Sequence, residues 1–109
     1  MTFQKIREVA NMHVQHLQNL GVLIRMMSGN ENFSSDSVFA RKQMLGHAHY
    51  LVALSIPMLL AQSEKMIDCT SCKEHHGKIG RHLGSAQTLM WTAGLYTLDQ
   101  LKEFNRSDK

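Results

Sequence analysis

The sequence predicts an all-α fold, a compact bundle of three main helices plus a short C-terminal helix, forming one domain over residues 1–104 with a frayed tail over 105–109. Three observations carry that expectation. Apolar residues recur at spacings of three and four through long stretches, the period of a helix with one buried face. Pro57 is the only proline, and β-branched residues are scattered, which disfavours strands. The 109 residues are 43% apolar with a net charge of +3, enough to fill one modest core and too apolar for a disordered chain.

Helix one is read from Phe3, Ile6, Ala10, His13, Leu17, Leu20, Ile24 and Met27, whose alternating spacings put them on one face, all apolar except His13. Val9, His16 and Leu23 widen that face. Gly29 and Asn30 suit left-handed or turn conformations and are expected to end the helix. The polar run Glu31-Asn32-Phe33-Ser34-Ser35 reads as a linker. Ser35 or Asp36 then offers a side-chain oxygen to the free N–H groups of the next helix.

Helix two is expected from Asp36 to about Met66, with Leu45, Ala48, Val52, Leu59 and Met66 on one stripe and Met44, Leu51 and Met58 on an adjoining one. Pro57 lacks an N–H, and its ring crowds the carbonyl four residues earlier, so a kink or break is expected near Ser55. The Ser55 hydroxyl could satisfy a carbonyl freed around Ala53. Gln43 to Ser63 carries no formal charge and is long enough to span a bilayer. Gly46, His47, His49, Ser55, Pro57 and Gln62 within it favour a buried helix instead, and no membrane partner is expected.

Ser71-Cys72-Lys73-Glu74 has the form of a capping box, so a third helix should start there. Gly77, Gly80 and Gly84 would together cost roughly 2–3 kcal/mol relative to alanine inside a helix. The apolar stripe Ile79, Leu83, Ala86, Met90 and Ala93 nevertheless continues through them. The reading that follows is a helix whose glycine face lets a neighbouring helix approach closely. Gly94 stands where a C-terminal cap is wanted, with Leu95 placed for the accompanying apolar contact. Thr97-Leu98-Asp99-Gln100 is a second capping box, opening a short helix through Phe104.

Chemically capable side chains crowd together only in Cys69-Thr70-Ser71-Cys72-Lys73-Glu74-His75-His76. Cys69 and Cys72 have the spacing of half a zinc knuckle, since two intervening residues let both sulfurs face one ion. His75 or His76 is a candidate third ligand. A fourth would come from His82 or from His13, His16, His47 or His49, and zinc is the cofactor this set would take. Cys72 in a first helical turn would also be a favoured thiolate, but redox cysteine pairs follow a strand in a βαβ unit, and no strand is expected here. His47 and His49 lie two apart on a helix and diverge by about 200°, so they cannot share an ion. His13, on the core stripe, is expected to be hydrogen-bonded within the packing.

Lys73, Lys78 and Arg81, with His75, His76 and His82, form the best candidate contact for nucleic acid. The letters Gly77-Lys78-Ile79-Gly80 match the G-x-x-G loop of KH domains, but that module needs a sheet. The segment from Leu83-Gly84 through Ala93-Gly94-Leu95-Tyr96-Thr97-Leu98-Asp99-Gln100-Leu101 resembles the helix-hairpin-helix signature at the C-terminus of the TfoX family of competence regulators. Its glycine and threonine are equally those of the caps just described, and no function is carried over.

No nucleophile elbow, phosphate loop or paired-carboxylate pattern occurs, so an enzyme is not expected. Two cysteines cannot build a disulfide framework, and the N-terminus lacks a signal-peptide core, so a cytoplasmic, reducing location is expected. The chain is rich in methionine, with eight, and Met12, Met26, Met27, Met44 and Met58 lie on or beside the apolar faces of the first two helices. That surface exceeds what one three-helix core needs. The expectation is a protein-binding adaptor, inhibitor or regulator, with a homodimer as one way to complete the bundle. Metal binding and nucleic-acid binding are the alternatives.

Overall fold

Among the described residues four helices build the molecule: α1 (Phe3–Asn19), α2 (Ser37–Glu64), α3 (Cys69–Thr92) and α4 (Leu98–Asn105). The computed structural model describes residues 1–64 and 69–106, and the side chains of all of these except 69–73. Among the described residues there is no strand, and three main helices with a short C-terminal one pack into a compact bundle.

Helix α1 starts where Thr2 accepts the Lys5 N–H at 3.0 Å, and it buries Ile6, Val9, Ala10, His13 and Leu17. It does not continue to Gly29. Gly21 adopts φ +74°, its N–H bonds the Gln18 carbonyl, and the Val22 N–H reaches back to the Leu17 carbonyl at 3.0 Å. This paired closure satisfies the Leu17 and Gln18 carbonyls, and glycine enters the left-handed region at no steric cost. The helical spacing of Leu20 and Ile24 therefore continues into chain that is no longer helical, and both side chains are exposed.

From Val22 to Ser28 the chain runs as a non-helical arm across α2. The Arg25 N–H bonds the Gly46 carbonyl at 3.0 Å, and the Met27 N–H bonds His47 Nδ1 at 3.1 Å. His49 Nδ1 donates to the Val22 carbonyl at 2.9 Å. Gly46 is what lets the arm lie so close. A Cβ there would stand 3.0 Å from Arg25 Cβ and 3.1 Å from the Leu23 carbonyl oxygen.

Helix α2 is capped by Asp36, whose carboxylate accepts the Phe39 N–H at 2.9 Å. Pro57 interrupts its regularity without breaking it. Leu51–Ser55 form a π-helical turn, closed by the Ile56 N–H on the Leu51 carbonyl. The wider turn accommodates the proline ring and the missing donor with the helix unbroken from Ser37 to Glu64. Ser55 turns to His82 Nδ1, 2.7 Å away, and not to a freed carbonyl. Leu45, Ala48, Val52 and Leu59 are buried as the stripe predicts, while Met66 lies outside the described residues. The helix is long and apolar enough to cross a membrane, and 56% of its most apolar window is buried against the rest of the bundle.

Helix α3 is already helical at Cys69, so Ser71 lies inside its first turns and not ahead of them. It passes through all three glycines, with Ile79, Leu83, Ala86 and Met90 buried. No neighbouring helix approaches that glycine face, however: a Cβ on Gly80 or Gly84 would meet nothing within 4 Å. The helix closes as expected at Gly94, φ +81°, with the Leu95 N–H on the Met90 carbonyl and the Gly94 N–H on the Trp91 carbonyl. In α4 both bonds of the Thr97–Gln100 capping box form, Leu101 is buried, and Asn105 belongs to the helix.

Candidate functional site

A chain of polar side chains crosses the core from α1 to α4. Gln87 and Asn105 exchange two amide hydrogen bonds, each 2.8 Å, and Gln87 Nε2 also lies 3.1 Å from His13 Nε2. In this arrangement the amide nitrogen donates, so His13 Nε2 accepts and the imidazole proton sits on Nδ1, facing the Tyr96 hydroxyl at 3.5 Å. Tyr96 in turn is 2.5 Å from His16 Nδ1, and Phe104 packs edge-on against both His13 and Tyr96. Burial, with a smaller contribution from His16, lowers His13 to a pKa of about 4, so it is neutral at physiological pH. Burial raises the Tyr96 hydroxyl. This core histidine is hydrogen-bonded within the packing, as its stripe position implies.

The histidines of α2 face the arm at separate residues and do not converge. His49 is buried, and its Nε2 is the one buried side-chain nitrogen or oxygen without a partner among the described residues. His47 is lowered by burial. His82 is lowered first by burial and then by Lys78 and Arg81, so its contact with Ser55 is that of a neutral ring.

The side chains of Cys69, Cys72 and Lys73 lie outside the described residues. The two histidines proposed to join the cysteines part company. His75 Nε2 donates to the Leu59 carbonyl at 2.8 Å, tying α3 to α2. His76 Nε2 donates to the Met1 carbonyl at 2.7 Å, and its ring packs edge-on against Phe3, tying α3 to the start of α1. Adjacent residues on a helix point about 100° apart, which is why one turn serves two neighbours. Among the described residues no group of three or more His, Cys, Asp or Glu is placed to hold a metal ion. Lys78 and Arg81 are exposed on α3.

Along the outer face of α3 runs a groove in two joined sections. The first, about 440 Å³, has Gly77, Gly80 and Gly84 on its floor, with Met1 and Ile6 from the α1 end and Asn105 from α4. The second, about 300 Å³, continues through Thr88 and Trp91, with Leu98, Leu101 and Lys102 from α4. Gly84, Gln87 and Asn105 line both sections, so the amide pair that ends the buried polar chain forms the saddle between them. Among the described residues no carboxylate lines either section, and Arg81 Nη1 stands 3.4 Å from where a Gly77 Cβ would be.

The sequence-based reading missed Gln87, Tyr96 and Asn105 as partners of His13, and it missed the groove. A signal for the groove was present: Gly80, Gly84, Gln87 and Trp91 follow one another at spacings of four, three and four, a second stripe beside the apolar one. No known protein family matches the chain, and no curated protein or solved structure is significantly similar to it.

Proposed function

We propose that this protein is a small non-catalytic binding module, an adaptor, inhibitor or regulator that docks apolar helical surface on another polypeptide. The observation that carries the reading is that large apolar side chains remain at the surface in adjoining sets. Leu54 and Met58 stand one turn apart on the outside of α2, Leu23 and Met26 project from the arm, and Trp91 and Leu98 line the groove. Single exposed apolar residues are ordinary, whereas grouped ones mark interaction surfaces. Ser55 and His82 have the separation of a nucleophile and its base, but Ser55 is only 5% exposed and lines neither section of the groove, so a substrate could not reach its hydroxyl.

A homodimer covering Leu54 and Met58 is one form such docking takes. Photo-crosslinking in the native cell tests the reading, with the reactive residue placed in turn at Met26, Met58 and Thr88. A discrete adduct, with another polypeptide or with a second copy, is expected from at least one site. A chain that stays uncrosslinked at all three positions removes the proposal.

A further inference from the structure

We infer that the groove on α3 receives an acidic amphipathic helix from a different protein, an inference that rests on the protein-binding reading and specifies its partner. The groove has the dimensions of a helix seat. From Gly77 to Trp91 it runs fourteen residues along α3, roughly 21 Å, or four turns of an occupant. Its lining is apolar towards both ends, with Met1 and Ile6 in one section and Trp91, Leu98 and Leu101 in the other, and the Gln87–Asn105 amide pair lies between them. Its floor is glycine that the fold does not itself require, because a Cβ on Gly80 or Gly84 would meet only open space. A floor without side chains lets an incoming helix approach α3 at backbone distance.

Charge selects the occupant. His76 and Lys102 are the ionisable residues of the lining, and Arg81 leans over Gly77 at the mouth. Among the described residues the neighbouring acids stay out of the lining: Glu74 stands one turn before Gly77 and Asp99 one turn before Lys102, and Glu103 is bonded to Arg106. A second copy of this chain, itself at net charge +3, would bring the same basic rim, Arg81 and Lys102, against this one, a like-charge contact that opposes docking. A nucleic acid would find two cations and a histidine along four turns of largely apolar wall, too few for a backbone that is bound by successive phosphate contacts. An acidic helix with one apolar face satisfies both the wall and the rim.

The test is a displayed library of helical peptides about 18 residues long, selected on the full chain and counter-selected on the Gly84→Leu variant. Enrichment of acidic amphipathic sequences is expected. Trp91, the only tryptophan and 45% exposed, reports their binding by a saturable change in emission. Arg81→Glu and Gly84→Leu should each weaken the selected peptide about tenfold or more, and Met58→Ser should leave it unchanged. Gly80→Ala should raise the thermal midpoint while weakening the peptide, a combination that a merely structural glycine would not produce. Basic, uncharged or no enriched sequences overturn the inference, as does undiminished binding in Gly84→Leu. It falls equally if an oligonucleotide displaces the selected peptide from the wild-type chain, or if sedimentation shows a dimer that Gly84→Leu dissociates. Crosslinks from Met26 or Met58 but none from Thr88 would sink the groove and leave the protein-binding reading standing.

Discussion

Gly46 and the pair Gly80 and Gly84 are the same residue in the same kind of long helix, and the molecule treats them in opposite ways. At Gly46 the arm crosses so closely that a Cβ would be wedged between Arg25 and the Leu23 carbonyl, and the Gly46 carbonyl itself accepts the Arg25 N–H. At Gly80 and Gly84 the same added atom would touch nothing. The first absence of a side chain is explained by the fold. The second loosens α3 by about 1 kcal/mol per glycine with no internal compensation. A helical glycine therefore says little until one knows what lies where its Cβ would be.

The largest effect expected from breaking this contrast is at Gly46. Gly46→Leu should cost about 3 kcal/mol, because the leucine overpacks the seam and the Arg25 hydrogen bond is lost with the arm. Urea denaturation measures it, and amides 22–28 should lose hydrogen-exchange protection while those of α3 keep theirs. An arm that yields freely would instead give a change well under 1 kcal/mol.

The contrast also presumes that α3 is held by its inner face, and acid loosens that face. His13 titrates near 4 in the folded chain and near 6.5 unfolded, so the unfolded state takes up this proton first. Its contribution is complete above pH 6.5 and is lost as pH falls towards 4, about 2.5 kcal/mol between pH 7.5 and 4.5. His47 and His82, both lowered chiefly by burial, act in the same direction. The urea midpoint should fall accordingly, and His13→Gln should flatten the slope. A wild-type midpoint that does not move over this range would contradict the buried, neutral assignment of His13.

The smallest effect carries the opposite sign. Gly80→Ala and Gly84→Ala should each stabilise the isolated chain by about 1 kcal/mol, seen as a raised thermal midpoint. A loss at either position would mean that something already occupies that face, in which case the two kinds of glycine are alike after all.

How far each feature was legible follows from the separation of the residues that make it. The caps at Asp36, Gly94 and Thr97 and the buried stripes of α2 and α3 could be read because their partners lie within a few positions. The end of α1 was misplaced because Leu20 and Ile24 keep the helical spacing past Gly21, and periodicity cannot say that a glycine has turned left-handed. The proline was expected to make a kink or a break near Ser55; the chain does not break there but passes through a π turn over Leu51–Ser55 within one helix, Ser37–Glu64. At the candidate site, His75 and His76 looked like two chances at one ion, whereas the carbonyls that claim them belong to Leu59 and Met1, on different helices.

By itself, then, the sequence determined that this chain is helical, where most of its helices start and stop, and which stripe of each is buried. Those are properties of residues within one or two turns of each other, and the backbone enforces them locally. Only the tertiary structure decided that His13 meets Gln87 across 74 residues and His16 meets Tyr96 across 80. It also decided that the arm closes over Gly46 while the glycines of α3 stay uncovered. Contacts of that range are chosen by how whole helices share one core, because the free energy that places them is the burial of α1, α2 and α3 against one another and not any local preference.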